Sequence, residues 1–99
     1  MSRFDAIELE ILWQSLIATV NEQARALQRS AFSPIVREAG DLANAVFDRR
    51  CRMVAQAVTG TPGHINSLAI GAANMLAEFP SDSLVPGDVL ITNDPYKTA

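Results

Sequence analysis

The strongest constraint on this fold is a long stretch near the N-terminus with helical apolar spacing. Leu9, Trp13, Leu16, Val20, Ala24, Leu27 and Ala31 recur every three or four residues, one stripe of a 3.6-residue period. Ile7, Ile11, Leu12 and Ile17 widen that stripe, so the spacing predicts a helix over 5–32 that is covered on more than one side. Asp5 stands where an N-cap would, and Glu8 three residues later resembles a capping box. Pro34 forbids continuation, and Ser33 before it is pushed toward extended geometry. Trp13 and Phe32 are read as packing residues. A helix of about seven turns with so wide an apolar face needs cover beyond what the rest of a 99-residue chain offers.

The remaining chain divides at its small and polar residues. Ser33 to Asp41 is a connection rich in charge, with Arg37, Glu38 and Asp41, and its Gly40 permits a turn. Two β-prone runs, 43–48 and 52–57, flank Arg49, Arg50 and Cys51 and read as a hairpin. Its turn lacks the Gly or Asn that usually takes a positive φ, and Cys51 is placed to take it at a cost of about 1 kcal/mol. Thr59 to His64 is a small-residue loop. A second helix follows, with Ile65, Leu68, Ala69, Ala72, Ala73, Leu76 and Phe79 on one face, and Pro80 ends it. Ser81 to Gly87 is a linker with a Pro86-Gly87 turn signal, and 88–93 is a strand candidate apolar enough to be buried on both faces. The predicted class is α+β: long helix, hairpin, second helix, terminal strand, standing alone or as part of a larger α/β subunit. The uncovered terminal strand favours the front part of something larger.

Charge and cysteine content narrow the function. Eight Lys and Arg against eleven Asp and Glu leave a net charge of −3, which argues against a nucleic-acid binder. No apolar run approaches the roughly 20 residues that span a bilayer, and the opening residues do not form a secretory signal, so the expected compartment is the cytoplasm. Cys51 is the single cysteine and His64 the single histidine, which excludes an internal disulfide, a multi-cysteine zinc cluster and a His-His metal pair within these residues. There is no nucleophile elbow and no phosphate-binding Gly-rich loop. Cys51 with His64 is formally a nucleophile and base, although a free cysteine more often fills space. Asp41, between Gly40 and a β-prone run, is either a hard oxygen ligand for a divalent cation or a turn-forming aspartate. Arg37 and Glu38 read as a solvated or mutually paired couple. His64 at a helix start is favoured as the neutral ring, which can ligate a metal, accept a proton or simply pack. Asn93-Asp94-Pro95-Tyr96 is either a strand-end site or an Asx turn before proline.

The order of these blocks resembles one family. Leu9 to Trp13, Ala31 to Asp41, Phe47-Asp48 with Val54 to Gln56, Gly60 to His64, and Pro86 to Tyr96 look like the opening of the hydantoinase B/5-oxoprolinase family, in register over nearly the whole chain. The resemblance implies the B-type subunit of an ATP-dependent enzyme that hydrolyses cyclic amides, with lactamase and ketone carboxylase subunits as related members. It implies that ATP is held by a hydantoinase A-type partner, which activates the substrate, a cyclic amide or ketone, while the B-type subunit completes the reaction with a divalent metal, Zn or Mn. Carried onto this chain, it makes Asp41 a metal ligand, with Arg37 and Glu38 as its neighbours. His64 lines the site or holds its loop, and Asp94 stands beside Asn93 at its mouth; His64 and Asp94 are the expected catalytic residues.

Two features depart from the family pattern. Cys51 stands in the hairpin where the family usually has glycine, and the family's next motif, His-x-x-Asp, lies beyond Ala99. The expectation is therefore the N-terminal segment of a hetero-oligomeric B-type subunit, inactive alone. The competing reading is a small non-catalytic α+β module for dimerisation or sensing, its apolar first helix covered by self-association.

Overall fold

A computed structural model describes residues 5–58 and 63–96, without the side chains of Gly63 and Ile65. The first helix, α1, runs Ala6–Ser30 and begins at Asp5, whose carboxylate accepts the Glu8 amide at 2.8 Å. It stops two residues short of the predicted end, because Ala31 is already extended ahead of Ser33-Pro34. The charged connection then makes a single unforeseen turn of helix, α2 (Pro34–Arg37), with proline in the first position where its missing N–H costs nothing.

The predicted hairpin is present. Strand β1 (Ala45–Phe47) pairs antiparallel with β2 (Met53–Gln56). Its three-residue loop is a turn closed by the Cys51 amide on the Asp48 carbonyl at 3.0 Å, with Cys51 itself left-handed at φ +62. This is the three-residue hairpin form in which the last loop residue must take a positive φ. Asp48 organises it: one carboxylate oxygen accepts the amides of Arg50 and Arg52, both at 2.9 Å, and the other accepts Nε of Arg52 at 2.7 Å. Register slips between Val46 and Phe47, so Val54 has no Cα partner across the ladder. Its carbonyl is taken instead by the Trp13 indole N–H at 3.1 Å.

The core lies where α1 crosses the hairpin. Val20, Ala24, Leu42, Ala55 and Ala57 are buried, with Leu16, Ile17, Val36 and Val46 packed around them. Asn21 fastens the exit of β2 by accepting the Val58 amide at 2.9 Å. Only the middle of the predicted α1 stripe is buried: Leu9, Trp13 and Leu27 remain about half exposed, and Ile7 and Ile11 more so. The wide apolar face of α1 does exceed the cover that the described residues provide.

Helix α3 (Gly63–Glu78) matches the predicted second helix, with Gly71 buried and Leu68, Ala72 and Leu76 half-buried on its inner face. The loop predicted over Thr59–Pro62 lies outside the described residues. Past α3, a 3-10 turn (Ser81–Ser83) leads to the predicted Pro86-Gly87 turn, closed by the Asp88 amide on the Val85 carbonyl at 3.1 Å with Gly87 at φ +98. The strand predicted over 88–93 does not form. Among the described residues the only sheet is the β1–β2 pair, and 88–93 does not pair with it. Val89 and Ile91 accordingly stand exposed at 85% and 94%. The Cα radius of gyration is 15.0 Å, against about 13 Å for a compact domain of this length, so the molecule is open as well as thinly packed.

Candidate functional site

The site begins with the backbone turn that presents Asp41. The Arg37 amide bonds the Ser33 carbonyl at 2.8 Å, and the Glu38 amide bonds that of Pro34 at 2.9 Å. Gly40 then takes φ +68 and returns its amide to the Val36 carbonyl at 3.1 Å, the left-handed ending of a helical turn. The Asp41 amide reaches the Ile35 carbonyl at 3.1 Å, and Leu42 goes directly into the core. Asp41 is thus held between a closed turn behind it and an anchored residue ahead of it.

Gln28 adds a tie from α1. Its side-chain amide donates to the Arg37 carbonyl at 3.0 Å. This residue carried no signal in the sequence: it is one more polar position on a helix, and its partner is nine residues away.

Opposite Asp41 stands His64, in the first turn of α3. Its Nε2 lies 2.6 Å from Asp41 Oδ1, across 23 residues of sequence. His64 is half exposed at 50% and Asp41 is 38% exposed, so the pair is open to solvent on one side. With the carboxylate ionised, Nε2 carries the hydrogen it donates, and a neutral ring then leaves Nδ1 as an acceptor. The aspartate thereby fixes both the orientation and the tautomer of the imidazole. A carboxylate oxygen and an imidazole nitrogen brought this close are also the donor types that zinc or manganese takes together. Among the described residues no third His, Cys, Asp or Glu joins them as a metal-holding group, so an ion at Asp41 would need further ligands from elsewhere.

The other sequence candidates lie apart from this pair. Asp94 accepts the Tyr96 amide at 2.8 Å, the Asx turn that was the alternative to a site role. It lines a hollow with Asn74, Glu78 and Ile91 at the C-terminal end of α3. Ten residues of helix separate His64 from Asn74, about 15 Å of rise, so the structure does not bring Asp94 to the Asp41–His64 pair. Arg37 and Glu38 are both exposed and form no ion pair with each other among the described residues, which is the solvated form of the couple. Cys51 sits at the hairpin tip, engaged through its amide, with no contact to His64 among the described residues.

Comparison with known proteins agrees with this arrangement of blocks. The family model for hydantoinase B/oxoprolinase matches residues 5–99, and the chain belongs to that family. It is 33% identical over 95 residues to the beta subunit of the caprolactamase of Pseudomonas jessenii, covering 96% of this chain and 16% of that protein. A protein of a Pseudomonas species named as the B subunit of a D-/L-hydantoinase is 28% identical over 102 residues, covering 100% of this chain and 17% of its own length. An uncharacterized protein of Schizosaccharomyces pombe is 34% identical over 94 residues, covering 95% of this chain and 7% of its own. The chain therefore spans about a sixth or less of the length of these relatives. No solved structure matches it significantly. No helix among the described residues is long and apolar enough to cross a membrane.

Proposed function

We propose that this chain forms the N-terminal part of the B-type subunit of an ATP-dependent cyclic-amide hydrolase, and that Asp41 contributes one ligand to a divalent-metal site, Zn or Mn, beside His64. The observation that carries the reading is the 2.6 Å contact between Asp41 and His64, which joins two separate family-like blocks at one point. Family membership and the names of the caprolactamase and hydantoinase relatives support the substrate class.

The chemistry follows from what an unstrained amide lacks. It is a poor electrophile, so ATP-dependent activation by an A-type partner comes first, in the cytoplasm, with the nucleotide bound by that partner. A divalent metal held by Asp41, with further ligands from outside the described residues, would supply a water acidic enough to provide hydroxide near neutral pH. Asp41 holds one side of the site and orients the imidazole, and His64 takes or returns a proton through Nδ1. The remaining ligands come from outside the described residues, and the chain alone is inactive.

Elemental analysis of the full-length protein tests the proposal. About one ion per chain is expected, and Asp41→Ala should weaken metal retention at least tenfold. Full retention in Asp41→Ala would remove Asp41 from the ligand set. His64→Ala should keep most of the metal while abolishing ATP-dependent hydrolysis of caprolactam, hydantoin or 5-oxoproline in the presence of the partner.

A further inference from the structure

Although the chain carries net charge −3, three of its arginines converge on one groove of about 570 Å³. Arg25 and Arg29 lie one turn apart on α1, Arg37 comes from α2, and Gln28 completes the lining. The convergence is built. The Gln28 bond to the Arg37 carbonyl ties α2 to α1 at this point, and Glu22 holds Arg25 and Arg29 at 3.7 and 3.3 Å. Among the described residues no carboxylate pairs with Arg37. Three arginines line the groove and one carboxylate, Glu22, pairs with two of them, a local surplus of two positive charges. Like charges one helical turn apart repel, and that repulsion is relieved when an anion sits between them.

We propose that this groove binds the phosphoryl group of a small phosphorylated molecule. The charge arithmetic selects the ligand class. A phosphate monoester approaches two negative charges at neutral pH and cancels the surplus, whereas a single carboxylate leaves one guanidinium uncompensated. Planar guanidinium groups also match phosphate oxygens in paired hydrogen bonds. An adjoining hollow of about 500 Å³ shares Arg25 and Gln28 and runs on to Gly40 and Val58. The rest of such a molecule has room there, beside the turn that presents Asp41.

Equilibrium dialysis of labelled inorganic phosphate against the full-length protein decides the matter. One saturable site is expected. Arg37→Ala should weaken it at least tenfold; that substitution leaves the backbone carbonyl that Gln28 holds. Glu22→Gln should strengthen it about threefold by removing the competing carboxylate, a gain that misfolding does not mimic. A double Arg49→Ala, Arg50→Ala variant at the exposed hairpin tip should bind as the parent does, and acetate should compete at least tenfold less well than phosphate. Absence of saturable binding, equal competition by acetate, or loss of binding in the hairpin-tip variant with retention in Arg37→Ala would each overturn the proposal.

Discussion

Cys51 shows how one residue type can work against a conformation that its neighbours impose. The hairpin loop requires a left-handed residue at this position, and a Cβ there meets the following carbonyl. Cys51→Gly should therefore raise stability by about 0.5–1 kcal/mol, the relief of strain less the extra freedom glycine gains in the unfolded chain, read from denaturant midpoints. Asp48 opposes that strain. The Arg52 amide foremost, then its guanidinium and the Arg50 amide, hold the Asp48 carboxyl below its ordinary value of 3.8. A carboxyl lowered in the folded state stabilises it above the unfolded value and loses that contribution as pH falls through the folded one. Asp48→Asn should thus cost stability at pH 7, and the gap between variant and parent should close as pH falls below about 3.8. A gap of equal size at pH 7 and pH 2.5 would contradict this.

At the scale of elements, α1 is fastened to the hairpin at the residue of β2 that the ladder leaves without a partner. β2 has β1 as its one partner among the described residues. The register slip leaves Val54 unpaired, and the indole of Trp13 takes its carbonyl. Trp13 was read from the sequence as a packing residue, yet it is half exposed and its polar atom makes the specific contact. Trp13→Phe keeps most of the apolar area and loses the hydrogen bond, so it should cost about 1 kcal/mol, with hydrogen exchange rising at the β2 amides. Wild-type exchange rates in the variant would show that the bond holds nothing. The α2 turn teaches the converse: Gly40 and Pro34 announced a bend, but a single helical turn is too short to leave a periodic signal.

For the whole molecule, the imbalance between apolar content and burial is the main feature. Apolar residues make up 48% of the sequence, yet Val20 is the single fully buried large side chain among the described residues. Phe32, Val89, Ile91 and Tyr96 are all at least 85% exposed, and the wide apolar face of α1 is only partly covered. The 99 residues alone should therefore bind a hydrophobic dye strongly, and the signal per chain should fall several-fold in the full-length protein. Equal dye binding by both would mean that the rest of the polypeptide leaves this surface open.

Residue order alone determined the local features: the 3.6-residue stripe of α1, the Asp5 cap, the left-handed Cys51, the Pro86-Gly87 turn and the inner face of α3. Each depends on neighbours within a few positions, where propensity and sterics act directly. Tertiary structure decided the rest. It joined Asp41 to His64, left Asp94 at the other end of α3, gave Val54 to Trp13 and gathered the three arginines. It also left 88–93 unpaired, because a strand is a relation between two segments and its hydrogen bonds need an edge that local sequence does not supply.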